Sequence, residues 1–331
     1  MIRFLFRHIP CLFPSRYSLV SVSLVCFGLL FNLGATSAQP RRIVSYNVEN
    51  FFHPEHDSLT NDLEWTPEGE RHWSFYRYNQ KAENIARVLT TIGEWSGVDI
   101  IGLCEVENAK CLTKLCYLMR RDTYDYVHYE SPDQRGIDVA LLYRKERIDT
   151  LYTRCIRVDL GETTTRDILY VCAKVRAASK YNIADTLHLF MCHMPSQRGG
   201  TAESEWKRTA ARSTLQSAVD SVIHRHPQAK IVVMGDMNCS PENNINGMSN
   251  RMIELEKSGV GTHKWHGKWT CLDQFYTSPA LGDSSKVTIF APEWILETDE
   301  KYLDLKPKRS YAGYRYQNGF SDHLPIVMTI Y

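Results

Sequence analysis

Seven short runs of aliphatic and β-branched residues set the strongest limit on how this chain can fold. They cover residues 43–47, 99–104, 137–143, 168–175, 187–192, 230–234 and 325–330. Each has the length of a strand, and several are apolar without alternation, as strands buried on both faces are. Between them lie polar loops and three stretches of helical period: 81–93 (Ile85, Val88, Leu89, Ile92), 109–119, and 203–224 (Ala211, Leu215, Ala218, Val219, Val222). No repeat, low-complexity tract or Pro/Ser-rich linker divides the chain. The expectation is one α/β domain over residues 39–331, built of layered sheets covered by helices.

Polar residues unsuited to a core stand at the C-terminal ends of these runs: Asn47 and Glu49, Glu105, His193, then Asp236 and Asn238. Strand ends of layered α/β sheets are where sites are built, because a rigid sheet fixes loop residues that remain open to solvent. A turn-forming role explains any single Asn or Asp at such a place. It does not explain all of them together.

The N-terminus reads as an address. Arg3, Arg7 and Arg16 precede an apolar run over 19–31 and the small residues Gly34-Ala-Thr-Ser-Ala38. That is the pattern of a secretory signal, with cleavage between Ala38 and Gln39. The apolar run is short for a membrane anchor, so no stable insertion is expected after cleavage. Removing those three arginines from 39 basic residues leaves 36 against 38 acidic ones. A mildly acidic body argues against tight, purely electrostatic attachment to nucleic acid or anionic lipid, though a local basic groove stays open. Eight cysteines remain in an exported chain: Cys104, Cys111, Cys116, Cys155, Cys172, Cys192, Cys239 and Cys271. Cys104, Cys172 and Cys192 lie in apolar runs where a thiol packs as a small hydrophobe, and no spacing suits zinc. Mostly buried thiols are expected, with room for one or two bridges.

Taken in order, Tyr46-Asn47-Val48-Glu49, Gly102-Leu-Cys-Glu105-Val-Glu-Asn108, Gly136-Ile-Asp-Val-Ala-Leu-Leu-Tyr143, Cys192-His193-Met-Pro-Ser196, Gly235-Asp236-Met-Asn238, Leu272-Asp273-Gln274 and Ser321-Asp322-His323-Leu-Pro325 span the chain from first strand to last. This set resembles the endonuclease/exonuclease/phosphatase superfamily, the group of DNase-I-like nucleases, apurinic endonucleases, inositol polyphosphate 5-phosphatases and neutral sphingomyelinases. The resemblance implies a two-layer mixed β-sandwich flanked by helices, a DNase-I-like four-layer α/β fold. It also implies Mg²⁺- or Mn²⁺-dependent cleavage of a phosphoester, here in an exported member of bacterial type.

The same resemblance assigns roles. Glu105 matches the principal metal carboxylate, with Asn47, Glu49 and Asp322 supporting the ion. Hard oxygen ligands suit Mg²⁺, which neutralises charge on phosphoryl oxygens. Taken alone, Glu105 reads as a helix N-cap, but Asn108 fills that role. His323 matches the histidine that acts as general base or phosphate contact, and Asp273 the aspartate that fixes its tautomer. Asp236 and Asn238 alternate along an extended segment and so point the same way, Asp236 toward the attacking water and Asn238 toward a phosphate oxygen. His193 is placed to donate to the phosphate or protonate the leaving oxygen, although a lone histidine is often only structural.

Three features stay open in the sequence. Arg198 before Gly199-Gly200 reads as a phosphate loop or a plain turn, and Arg208 reads as a site residue or a solvated one. The aromatic and basic stretches 53–78 and 306–316 read as stacking surfaces for bases or sugars, or as loops packed on themselves. The leading expectation is an exported phosphodiesterase of nuclease type acting on nucleic acid. A phosphomonoesterase or a phospholipase acting on inositol phosphates or sphingomyelin is the alternative. A catalytically dead binding module predicts a broken set of site residues, and every matched position carries a competent one.

Overall fold

The computed structural model describes residues 40–120, 122–176, 185–197, 200–282 and 285–331. These belong to the unit Gln39–Tyr331. The segment 1–38, read above as an export signal, lies outside the described residues, as do Arg198 and Gly199.

In chain order the elements are β1 (Arg41–Phe51), α1 (Phe75–Gly93), β2 (Ile100–Val106), α2 (Ala109–Leu118), β3 (Tyr124–His128), β4 (Asp138–Arg144), β5 (Ile148–Ile156), β6 (Ile168–Val175), β7 (Asp185–His193), α3 (Thr201–Arg225) and β8 (Lys230–Asp236). The remainder is broken into shorter pieces: β9 (Ser249–Asn250), α4 (Ile253–Lys257), β10 (His263–Trp265), β11 (Lys268–Thr270), β12 (Asp273–Thr277), β13 (Ser285–Ile289), β14 (Leu296–Asp299), β15 (Asp304–Pro307), β16 (Tyr311–Ala312), β17 (Arg315–Tyr316) and β18 (Ile326–Ile330). All seven expected strands are present. Helix α1 begins before its periodic stretch because Ser74 caps it, its hydroxyl accepting from Arg77 N.

Two six-stranded mixed sheets form the body, in the orders β13-β18-β1-β2-β4-β3 and β5-β6-β7-β8-β12-β9. Only β1–β2 and β7–β8 run parallel in them. One face of each sheet meets the other: Ile43, Ile100, Val139 and Leu141 pack with Val171, Leu189, Met191, Val232, Met234 and Phe275. The outer face of the first sheet is covered by α1 and α2 through Val44, Tyr46, Leu103, Ile85, Leu89 and Leu112. Helix α3 covers the second through Ala211, Leu215 and Val219 against Phe190 and Val233. The result is the expected four-layer α/β sandwich. The sheets meet closely at Gly102, where a Cβ would lie 2.4 Å from Met191 Sδ. No described helix is long and apolar enough to cross a membrane.

Candidate active site

The apolar rows that face between the sheets turn polar at one end of the sandwich. On β7 the row Leu187, Leu189, Met191 continues to His193, and on β8 the row Val232, Met234 continues to Asp236. On β1, Asn47 shares the face of Ile43, and on β12, Asp273 stands two residues before Phe275. Side chains two apart on a strand share a face, so the face that builds the core also carries these polar groups. Register brings them together: parallel pairing sets His193 beside Asp236, and antiparallel β12 sets Asp273 opposite Asp236.

Glu105 reaches the same place by a different route. The β1–β2 ladder pairs Asn47 with Cys104 and next Phe51 with Val106, so Val48, Glu49 and Asn50 stand against Glu105 alone. Such a bulge breaks alternation and re-aims side chains. Glu49, Asn50, Glu105 and Asn238 all take left-handed backbone, with φ of 54°, 52°, 65° and 48°. Each such residue costs roughly 1–3 kcal/mol, a strain found preferentially at functional sites. Asn50 N donates to Glu105 Oε2 at 2.8 Å, which orients the carboxylate.

A hydrogen-bond network joins the group. Asn47 Nδ2 donates to Asp236 Oδ2 at 3.1 Å and to Glu105 Oε1 at 3.4 Å. His193 Nε2 lies 3.6 Å from Asp236 Oδ2 and 3.9 Å from Glu105 Oε1. His323 Nδ1 meets Asp273 Oδ2 at 2.7 Å, while its Nε2 lies 3.9 Å from Asp236. Ser321 Oγ donates to Asn47 O at 2.7 Å, tying the loop that carries His323 to β1. Burial disfavours a charged His323, yet Asp273 and then Asp236 outweigh it and hold its pKa well above the usual value. Burial pushes Asp236 up to about 6, with Asp273 adding to the shift and His323 opposing it. His193 is pulled well below the usual value by burial, then by Arg166 and Arg135, so it is neutral.

Glu105, His193, Asp236, Asn238, Asp322 and His323 line one cavity of about 470 Å³. Asn47 and Asp273 stand behind it as supports. Glu49 does not line the cavity. Its carboxylate accepts from Ser310 N at 2.6 Å, lies 3.3 Å from Arg309 Nε and 3.9 Å from buried Lys81 Nζ. The left-handed turn at the bulge directs it to these cations. Asn238 also corrects an expectation: β8 ends at Asp236, and the left-handed Asn238 is set by its own N donating to Asp236 Oδ1 and its Nδ2 donating to Met194 O, not by strand alternation.

Wall residues that were not picked out from the sequence include His263 and Trp265 on β10 and Arg135, while Arg309 was read only as part of the basic stretch 306–316. His263 forms a β-bridge with His323, their rings 4.8 Å apart. The hairpin is too short to leave a periodic signal. Arg309 bridges Glu49 and Asp322, with NH2 2.7 Å from Asp322 Oδ2. Arg208 is neither solvated nor in the cavity wall: it is 1% exposed and binds Glu205, Ser204 Oγ and the Ser196 carbonyl. The two aromatic stretches pack on each other. Trp65 stacks on Phe52 and meets Trp73 and Tyr311 edge-on, and Arg71 lies over Trp65 and Tyr311. All eight cysteines are free thiols.

The donor set fits a hard divalent cation. Glu105, Asp236 and Asp322 line one cavity, and three carboxylates converging on one space offer the hard oxygen donors that such a cation takes. Ligand atoms of His263, Asp322 and His323 lie within 4.8 Å of one another, a mixed set that Mn²⁺ accepts as well as Mg²⁺.

Similar folds occur among solved structures. A truncated TDP2 from Caenorhabditis elegans matches with a TM-score of 0.56 at 17% identity, covering 88% of this chain and 98% of that one. An endonuclease/exonuclease/phosphatase family protein from Bacteroides thetaiotaomicron matches at 0.54 and 13%, covering 89% and 99%. A mannosyl-6-phosphatase of the same organism matches at 0.52 and 14%, covering 88% and 100%. At these identities the likeness is one of fold. No curated protein matches the sequence. The family model described as Endonuclease/Exonuclease/phosphatase family matches residues 42–331, so the chain belongs to that family of phosphoester hydrolases.

Proposed function

We propose that this protein is an exported, bacterial-type phosphoester hydrolase that uses Mg²⁺ or Mn²⁺ and cleaves phosphodiesters of nucleic acid. The observation that carries the hydrolytic reading is the buried Asp273–His323 pair at 2.7 Å, made by residues 50 apart in sequence and set in one cavity with Glu105 and Asp236. Glu105 and Asp322, with Asn47 behind them, would hold the cation, which when bound neutralises phosphoryl charge and polarises the phosphorus for attack.

The chain's own groups supply the rest. Asp236 orients the attacking water and takes its proton. His323, oriented and held as an imidazolium by Asp273, donates from Nε2 to a phosphoryl oxygen. Asn238 steadies a second oxygen through its amide, and His193, buried and neutral, donates toward the leaving oxygen. The export reading rests on the arginines, apolar run and Ala-x-Ala pattern of residues 1–38, and N-terminal sequencing of secreted protein should begin at Gln39.

A second reading, a phosphomonoesterase acting on a small phosphorylated molecule, draws support from the inward packing of the aromatic stretches. Trp65, Trp73 and Tyr311 spend their faces on one another and are not offered to a substrate. Purified residues 39–331 assayed on plasmid DNA, RNA, bis-p-nitrophenyl phosphate, a sugar phosphate and sphingomyelin, with Mg²⁺ and with EDTA, test both. Cleavage of no ester ends the enzymatic reading. Turnover of the monoester alone ends the nuclease version.

A further inference from the structure

One arginine of the cavity wall has to share its only ion-pair partner among the described residues with a second arginine. Arg135 precedes β4 and lines the cavity with His193 and Gln197. Its Nε and NH2 donate to Asp133 Oδ1 and Oδ2 at 3.2 and 3.4 Å. Arg166, only 6% exposed, donates from NH1 to the same Asp133 Oδ2 at 2.9 Å and from NH2 to Met194 O at 2.8 Å. Two guanidinium groups therefore share one carboxylate. Among the described residues neither has a second ion-pair partner, and Arg166 Nε is buried with no partner. The other wall arginine differs: Arg309 shares Glu49 and Asp322 with Lys81 close by, two cations against two anions.

A surplus positive charge at a low-dielectric cavity wall is held ready for an anion. Asp133 fixes the guanidinium plane through Nε and NH2, and the NH1 group remains unpaired among the described residues. A planar fork held on one edge by a carboxylate presents its other edge to phosphate oxygens at little further entropic cost. Arg166 is too deeply buried to reach a ligand, but its charge keeps Asp133 from neutralising Arg135. We propose that Arg135 is a phosphate-contacting residue of this cavity, positioned by Asp133 and biased by Arg166. The proposal rests on the phosphoester reading. Its ligand chemistry is a phosphate oxygen, belonging to the scissile group or to a neighbouring phosphate of the same substrate.

Two arms test this. Inorganic phosphate titrated calorimetrically into residues 39–331 in EDTA should bind about tenfold or more weakly to Arg135→Gln, the loss of one charge-assisted contact, and Arg135→Lys should restore part of the affinity. The Arg135 side chain is 39% exposed, so both variants should keep the wild-type melting curve. In the second arm, kcat/KM is measured with Mg²⁺ on a thymidine dinucleotide with and without a 5′-terminal phosphate. An equal loss on both in Arg135→Gln assigns the contact to the scissile phosphate, and a loss confined to the phosphorylated form assigns it to the neighbour. Phosphate affinity that is undetectable in the wild type or unchanged in Arg135→Gln overturns the proposal. Absence of all hydrolysis overturns the enzymatic reading instead and leaves the titration to judge Arg135.

Discussion

Replacing Asp273 by Asn changes charge without changing shape, which makes it the sharpest test of the His323 pair. Asp273 is fully buried and His323 only 7% exposed, so water cannot substitute for the lost partner. A charge-assisted bond of 2.7 Å contributes about 1.5–3 kcal/mol. Asp273 Oδ1 is buried with no partner, which leaves asparagine two poor orientations. With its amide nitrogen at the Oδ1 position, a buried donor goes unsatisfied at a cost of about 1–3 kcal/mol. With the nitrogen facing His323, Nδ1 becomes an acceptor and the proton is forced to Nε2 of a neutral ring. Either outcome removes the oriented imidazolium, and kcat should fall about 10²–10⁴-fold. The folded pKa of His323 is raised, so the pair's stabilisation is fully present below the unfolded value of about 6.5 and is lost as pH rises through the folded value. Thermal melts in EDTA should therefore show Asp273→Asn about 3 °C below wild type at pH 6, for a loss of about 2 kcal/mol, with the gap closing toward alkaline pH. Hydrolysis of bis-p-nitrophenyl phosphate within about threefold of wild type, or a melting gap that does not change with pH, would refute the reasoning.

The remaining predictions are separate from that pair. Glu105→Gln should weaken Mg²⁺ binding at least about tenfold by calorimetry, and equal affinity would remove Glu105 from the ion's ligands. In Gly235→Ala the new Cβ would lie 1.8 Å from the Cys192 carbonyl oxygen at φ 134°, so about 3 kcal/mol should be lost, lowering Tm by about 5 °C; a wild-type melt would show that the β7–β8 contact is not tight. Thiol labelling of the native protein should be confined to the half-buried Cys155 and Cys172, with all eight cysteines reacting after unfolding. Any disulfide peptide in a non-reduced digest of residues 39–331 would contradict this.

How much of this was legible before folding depended on burial. Strands enclosed on both faces, such as β2, β7 and β8, announce themselves as unbroken apolar runs, because nothing else tolerates that environment. Edge strand β5 is half exposed and mixes polar with apolar residues, so its sequence resembles a loop. Glu105, His193, Asp236 and Asp273 could be chosen from the sequence because they interrupt or flank such runs. Glu49 shows the limit: two residues after Asn47 it reads as a support of the ion, and only the left-handed bulge shows that its direct partners are Arg309 and Lys81. Backbone of that kind is fixed by pairing with another strand and leaves no mark in a carboxylate's neighbours.

By itself, the sequence determined which segments must be buried, that polar groups gather at their ends, and which chemistry those groups are competent to perform. Only the tertiary structure decided that His263 lies against His323, that the aromatic stretches spend their faces on each other, and that Asp133 is shared by Arg135 and Arg166. The division has a physical cause. Burial and periodicity are properties of a few adjacent residues, whereas charge balance and hydrogen bonding belong to groups that only sheet register and loop closure bring within reach.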